Sequence, residues 1–230
     1  FHQYRGQGNA QFEGFEDGYY YGRRPTSAFM PSFRNVFQQD KVDFQRGYMV
    51  AFSASRQGWQ RGAWNGDFGS DFKESISQPG PWSIYIQMQG ETIPKASNQV
   101  RLSKDKVDAW GVPQLITSID YDDNDHNMML DFQKQAAEML EKAGCTQINM
   151  FDSHQNPGLD IHEMGGVRMG KDPKTSILNK WSQVHSCPNV FVTDGAAMTS
   201  VGNQNPSLTF MALTARAANY AVEELKRQNL

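Results

Sequence analysis

Alternation of apolar and polar positions is the clearest signal in the middle of the chain. Ser83-Ile84-Tyr85-Ile86-Gln87-Met88-Gln89 has the period of two that half-buries a β-strand. Further strands are expected at residues 47–52, 99–102 and 114–121, with a turn at Trp110-Gly111-Val112-Pro113 between the last two. Alternating segments joined by turns predict one antiparallel sheet across residues 83–121. From Asn124 the period changes. Met128, Met129, Phe132, Ala136, Met139 and Leu140 recur at steps of three and four, which predicts a helix with a core-facing stripe, closed by Gly144 at its C-terminal cap. Residues 146–151 then read as a short strand returning to the sheet. Residues 189–195 read as a buried strand that runs into an Asp-Gly turn. The last element is a helix with Asn205 as N-cap and Pro206 as its first residue. Its apolar stripe of Leu208, Met211, Ala212, Ala215, Ala218, Val222 and Leu225 is rich in small residues and suited to close packing on a sheet. Residues 1–80 show no long helical period and read as loops and short strands, Gly-rich and aromatic from Tyr4 to Tyr21.

The fold class expected from this pattern is α+β, a mixed α/β chain with an antiparallel sheet and helices. With 230 residues, 38% of them hydrophobic, the chain has enough apolar material for a sizeable core. Its 22 basic and 25 acidic residues leave a formal charge of -3, so no global field favours nucleic acid or an anionic membrane. No run of about 18 apolar residues is present to span a bilayer. Phe1-His2-Gln3-Tyr4-Arg5 lacks the layout of a secretory signal, and a soluble protein is expected. Cys145 and Cys187 do not amount to a disulfide framework. The start, without methionine and in a loop-like stretch, suggests a piece of a longer chain.

Familiar motifs fail on inspection. Gly165-Gly166-Val167-Arg168-Met169-Gly170-Lys171 imitates a phosphate loop, but Asp172 stands where a hydroxyl should hold magnesium. His162-Glu163 opens like a zinc-protease helix, yet Gly166 replaces the second histidine, and no metal site is expected. Gly6-Gln7-Gly8 is followed by Gln11 where a dinucleotide fingerprint requires glycine.

What remains is a pair of segments. The first is Leu159-Asp160-Ile161-His162-Glu163-Met164-Gly165-Gly166-Val167-Arg168-Met169-Gly170. The second runs from Val192-Thr193-Asp194-Gly195 to Gly202-Asn203-Gln204-Asn205-Pro206-Ser207-Leu208-Thr209. Together they resemble the C-terminal half of the glucose-methanol-choline (GMC) oxidoreductases, flavoproteins that oxidise alcohols and sugars. Asn98-Gln99-Val100-Arg101-Leu102-Ser103 and Trp110-Gly111-Val112-Pro113 are similar to the strand pair that precedes these segments in that family. The likeness runs from about Trp82 to the C-terminus.

The resemblance implies FAD as cofactor and a small alcohol or sugar as substrate, with electrons passing to an acceptor the sequence does not name. After the loop-rich segment read over residues 1–80, it implies an antiparallel-sheet substrate domain over 81–155 and a C-terminal segment over 156–230. That last segment would complete the FAD site with the final strand and helix of a Rossmann-like domain. The larger part of that domain, an N-terminal FAD-binding segment, would precede residue 1, and the fragment alone is expected to be inactive. His162 is the implied base, since a base must take the hydroxyl proton as hydride leaves the carbon. Asn205 is implied to hold the substrate oxygen. Asp194, Gly195 and Ala196 would approach the FAD linker, and the first N–H groups of the last helix, at Asn205-Pro206-Ser207-Leu208-Thr209, would face the flavin pyrimidine. Each residue has a plainer reading. His162 is equally a hydrogen-bonded structural histidine, Asn205 a helix cap, Asp194-Gly195 a turn, and Arg168 a surface cation. Trp59, Trp64 and Tyr85 either stack on a sugar ring or simply pack. The alternative function is a non-catalytic carbohydrate-binding or partner-docking module.

Overall fold

The computed structural model describes residues 3–14, 27–64, 66–159, 161–200 and 202–230. Asp160 and the side chain of Trp64, both singled out above, lie outside the described residues. In chain order the elements are β1 (Gln3–Tyr4), β2 (Gly6–Phe12), β3 (Ser27–Met30), β4 (Tyr48–Arg56), α1 (Ser70–Ser77), β5 (Trp82–Glu91), β6 (Gln99–Val107) and β7 (Pro113–Ser118). There follow α2 (Asp123–Lys142), β8 (Thr146–Asp152), β9 (Gln183–Val184), β10 (Cys187–Phe191) and α3 (Ser207–Lys226). The chain is a mixed α+β structure with antiparallel sheets.

Its main sheet has the order β3-β4-β5-β2-β8, and β1 pairs with β5 beyond the start of β2. All of these pairings are antiparallel. Strands from both sides of residue 80 therefore share one sheet. Two expectations are corrected here. The alternating segments 83–121 do not form one sheet, because β6 and β7 pair only with each other while β5 sits at the centre of the main sheet. The stretch from Tyr4, expected as loop, supplies β2, which lies between β5 and β8.

The glycines explain both the strand and why it was hidden. A Cβ on Gly6 would stand 2.8 Å from Phe132 Cδ1 and 3.0 Å from Met129 Cγ, so the strand is bare there because α2 lies on it. The buried side of the sheet is Tyr48, Val50, Ile86 and Met88, packed against Met128, Met129, Phe132, Ala136 and Leu140 of α2. The expected helical stripe thus meets the expected strand face.

Local chemistry fixes the ends of α2. The Asp122 carboxylate accepts from the N–H groups of Asn124 and Asp125, and Asp125 reciprocates by accepting from the Asp122 N–H, which closes a capping box. Gly144, at φ 82°, turns the chain out of the helix, while the Cys145 N–H reaches back to the Leu140 carbonyl. A half-buried triad locks β4 to the helix: Arg34 grips Asp131 through two bonds of 2.8 Å, and the Tyr48 hydroxyl donates to the same carboxylate at 2.7 Å.

The C-terminal region differs most from expectation. Its strand, β10, pairs only with the short β9 among the described residues, and Val190 is exposed, so the expected burial is absent. On α3 the side turned inward carries Phe210, Ala217 and Tyr220; Tyr220 stacks on Trp181 at 4.7 Å between ring centroids. The expected stripe points elsewhere. Leu208, Met211, Val222 and Leu225 are all exposed, Leu208 by 79%. Among the described residues, no helix is long and apolar enough to cross a membrane.

Candidate functional site

The two motif segments meet along their backbones. The N–H groups of Gly165, Val167 and Met169 donate to the carbonyls of Gly195, Ala196 and Ala197 at 3.2, 2.9 and 3.0 Å. The glycine-rich run is therefore an irregular strip, turning at Gly166–Val167, laid beside the short 3₁₀ turn Gly195–Ala197, not a phosphate cradle. Gly195 is the crossing point. A Cβ there would lie 2.8 Å from the Glu163 carbonyl oxygen and 3.1 Å from the ring tip of Phe210 in the first turn of α3. Its missing side chain lets the His162 loop, the turn and the start of α3 come together. Because one of those neighbours is backbone, Gly195→Ala is expected to cost roughly 1–3 kcal/mol, read as a lowered melting temperature. An unchanged melting curve would show that the loop is not pinned there.

His162, immediately before that contact, is only 6% exposed. Burial pushes its pKa below the ordinary histidine value of 6.5, the positive charge of Arg5 pushes the same way, and Glu163 opposes them. At neutral pH the ring is uncharged and has an acceptor nitrogen for a proton. Asp194 is exposed, and its Oδ1 accepts from the Ala196 N–H at 2.9 Å, capping the turn. Gly195 is buried and Ala196 half-buried.

Asn205 lies one residue further from α3 than expected. The cap position falls to Pro206, which is buried and makes no side-chain cap bond, so the helix begins at Ser207. The amide of Asn205 is exposed and not spent as a cap. Ser207, Leu208 and Thr209 are likewise exposed, and their N–H groups belong to the helix turn that has no intrahelical acceptors. Arg168 donates to the Thr175 carbonyl at 3.2 Å. Trp59 is exposed, as is Tyr85, whose hydroxyl donates to Gln87 Oε1 at 3.1 Å.

A further set of residues went unread in the sequence. Tyr4 and Gly6 face α2, so Arg5 between them faces the other side of the sheet, as do Gln7 and Asn9. Strand register aligns that side into rows. Asn149, Asn9, Tyr85 and Ser53 stand opposite one another, and Phe151, Gln7, Gln87 and Ala51 form the next row. Beyond them Met49 is opposite Gln89, and the flanking pairs Tyr4–Gly90 and Gln7–Gln87 set Arg5 across from Gln89 too. This face adjoins the His162 loop: the Arg5 charge acts on both His162 and Tyr85. A second tie comes from Ser200, just ahead of α3, whose hydroxyl donates to Glu91 Oε1 of β5 at 2.7 Å. The signal was a polar residue at every second position, Arg5-Gln7-Asn9-Gln11, obscured because small residues occupy the positions between.

The matching family model is that of the GMC oxidoreductases, described as GMC oxidoreductase, and it covers residues 94–214. The chain belongs to the GMC oxidoreductase family. Among its GMC relatives, the fructose dehydrogenase large subunit of Gluconobacter japonicus is 29% identical over 83% of this chain and 34% of its own length. Paromamine 6'-oxidase of Streptomyces fradiae is 35% identical over 61% of this chain and 26% of its own. The 2-methyl-1,2-propanediol dehydrogenase of Mycolicibacterium austroafricanum is 34% identical over 60% of this chain and 25% of its own. The chain thus spans between a quarter and a third of the length of these relatives.

Proposed function

We propose that the complete protein oxidises a CH–OH group of an alcohol or sugar with FAD, and that this chain supplies the base, the oxygen-holding amide and one wall of the site. The observation that carries the reading is the convergence at Gly195 of the His162 loop and the first turn of α3. FAD, when bound, supplies the acceptor for the two electrons that leave the carbon with its hydrogen. The neutral His162 ring takes the hydroxyl proton as the C–H bond breaks, leaving a carbonyl. Asn205, free of capping duty, holds the substrate oxygen and orients the carbon.

The residues present suit a flavin. An uncapped, exposed helix start offers N–H groups and the positive end of a 20-residue helix to the negative charge that grows on a reduced pyrimidine. The Asp194–Ala196 turn lies beside it. The exposed stripe of Leu208, Met211, Val222 and Leu225 and the open edge of β10 suit docking against an upstream FAD-binding segment of Rossmann-like fold. The matched stretch is only 25–34% of each of these relatives, which supports the same reading.

The test is the visible spectrum of the complete protein without oxygen, before and after adding sugars and simple alcohols. A yellow protein bleached by one of them is expected; a colourless protein overturns the reading. Asn205→Asp sharpens the test. A carboxylate one residue ahead of α3 suits the helix dipole and leaves the melting temperature unchanged or raised. The same charge beside a reducing flavin is expected to slow bleaching about tenfold or more. Unchanged bleaching would place Asn205 away from the reacting groups.

A further inference from the structure

A cleft on the C-terminal region gathers positive charge with no negative charge to answer it. Its volume is about 510 Å³, and Met169, Lys171, Asn179, Lys180, His185 and Arg216 line it. Arg34, Arg46, Lys95 and Lys226 each meet a carboxylate elsewhere in the chain. Lys171, Lys180 and Arg216 have no such partner among the described residues, and no carboxylate is among the lining side chains. Asp172, next to Lys171, gives its Oδ1 to the Lys174 N–H at 2.9 Å. Arg216 donates from Nη2 to the Met169 sulfur at 3.7 Å, a weak acceptor for one arm of a five-donor fork. The Lys180 ammonium lies 5.0 Å from the centre of the Trp181 ring.

The frame that carries these cations is tied at every corner. The Asn179 amide closes the turn beneath Lys180: its Oδ1 accepts from the N–H groups of Trp181 and Gln183 at 2.8 and 3.3 Å, and its Nδ2 donates to Gln183 Oε1 at 2.8 Å. His185 Nε2 is 3.1 Å from the Ser176 hydroxyl, which itself donates to the Asp172 carbonyl at 2.8 Å. The Gly170 N–H donates to the Leu178 carbonyl at 2.8 Å, and a Cβ on Gly170 would stand 2.6 Å from Ser176 Cβ. Trp181, stacked on Tyr220, fixes the turn to α3. A shared anion offsets the repulsion among cations that this frame brings to one cleft.

We infer that the cleft binds a phosphorylated small molecule, with Lys171, Lys180 and Arg216 around the phosphoryl group. A guanidinium fork matches two phosphoryl oxygens, and the ammonium groups add point charges. Inorganic phosphate occupies a small part of a cleft that has the volume of a ligand pocket, which favours an ester with an uncharged body over the free ion. The site is separate from the proposed oxidation. Arg216 is one turn before the inward-facing Tyr220 and off the Leu208, Met211, Val222 and Leu225 stripe, so a segment docked on that stripe does not run over it. A ligand there spans Met169, whose N–H meets the Ala197 carbonyl, and α3, and so braces the strip that leads from His162 against the last helix.

The experiment is isothermal titration calorimetry on the complete protein at fixed ionic strength, with phenyl phosphate, inorganic phosphate and phenol as probes. None of the three has a CH–OH group to oxidise, so binding is read apart from turnover. The proteins are wild type, Arg216→Gln, Lys180→Gln and Lys142→Gln, which removes a cation paired with Glu138 on α2. All three side chains are exposed, so the variants fold. Phenyl phosphate is expected to bind wild type with a Kd below about 1 mM, about tenfold or more weakly in Arg216→Gln, severalfold more weakly in Lys180→Gln, and equally in Lys142→Gln. Inorganic phosphate should follow the same order at lower affinity. Equal affinities for phosphate and its phenyl ester overturn the ester in favour of the free ion. Phenol bound as tightly as its phosphate, no binding of either phosphate, or affinities unmoved by Arg216→Gln and Lys180→Gln overturn the site.

Discussion

His162→Ala in the complete protein is expected to lower kcat by roughly a hundred- to ten-thousand-fold while the flavin content stays at the wild-type level. The size follows from what the ring does. Without a base in reach, the hydroxyl proton leaves to water, and the C–H bond breaks from a neutral alcohol instead of from an incipient alkoxide. The retention of flavin follows from where the ring is. His162 belongs to the loop whose Glu163 carbonyl meets Gly195, whereas the helix start proposed to face the cofactor belongs to α3. A pH profile adds a signature that a packing defect lacks. Burial first, and the Arg5 charge second, hold His162 below its ordinary 6.5, so the proposed base stays neutral to a lower pH than a solvent-exposed histidine would. The acid limb of kcat/KM therefore falls below pH 6.5, and Arg5→Gln moves it upward. A His162→Ala enzyme at wild-type rate would remove the base from the mechanism, and a limb unmoved by Arg5→Gln would remove the electrostatic coupling.

Legibility of the fold tracked how much each element depends on its own sequence. The α2 helix was readable because it carries its own caps, Asp122 and Gly144, and its own stripe. The β5 strand was readable because it alternates, and β4 because Tyr48-Met49-Val50-Ala51-Phe52 is a short continuous apolar run. By contrast, β2 has no apolar alternation: Gly6, Gly8 and Ala10 face the helix, and the apolar atoms filling that space belong to Phe132, Met129 and Met150. Its burial is borrowed from elements more than a hundred residues away, which no local window detects.

At the site, the pairing of motifs was legible but the division of labour was not. Asn205 had two roles competing for one side chain, and the backbone resolved the matter by starting α3 at Ser207, which leaves the amide unspent. Gly195, read from sequence as approaching the FAD linker, also makes room for a carbonyl of its own chain. The strip 165–169 beside 195–197 is the geometric reason that His162 and α3 appear together in a motif although they stand more than forty residues apart. The apolar stripe of α3 was correctly read as apolar, and within this chain it is exposed. Periodicity reports which residues share a face; it does not report what that face meets.

Asp125→Asn is expected to make the protein more heat-stable, by a margin that grows with pH. Asp125 is 1% exposed in the capping box of α2, its Oδ1 has no hydrogen-bond partner among the described residues, and its neighbour across the box is another carboxylate, Asp122. Burial above all raises its pKa from 3.8 to about 7; the Asp122 N–H and Lys95 pull it down, and the Asp122 charge adds to the rise. Lys95, 3.2 Å from Asp122 Oδ2, is engaged by the other member of the pair. The folded state thus holds its proton more tightly than the unfolded chain. That favours folding fully below about pH 4, and the advantage drains away as pH rises through about 7, for a total on the order of 4 kcal/mol. Asparagine keeps the acceptor for the Asp122 N–H and has no proton to lose. The variant should therefore gain about 2 kcal/mol on wild type between pH 5 and pH 8.5, seen as several degrees in melting temperature when the two proteins are heated side by side. The sign is the discriminating feature. A capping box held together by an ionised Asp125 would lose stability on this substitution, and most at high pH; that result, or a difference independent of pH, would mean the carboxyl is charged where it sits.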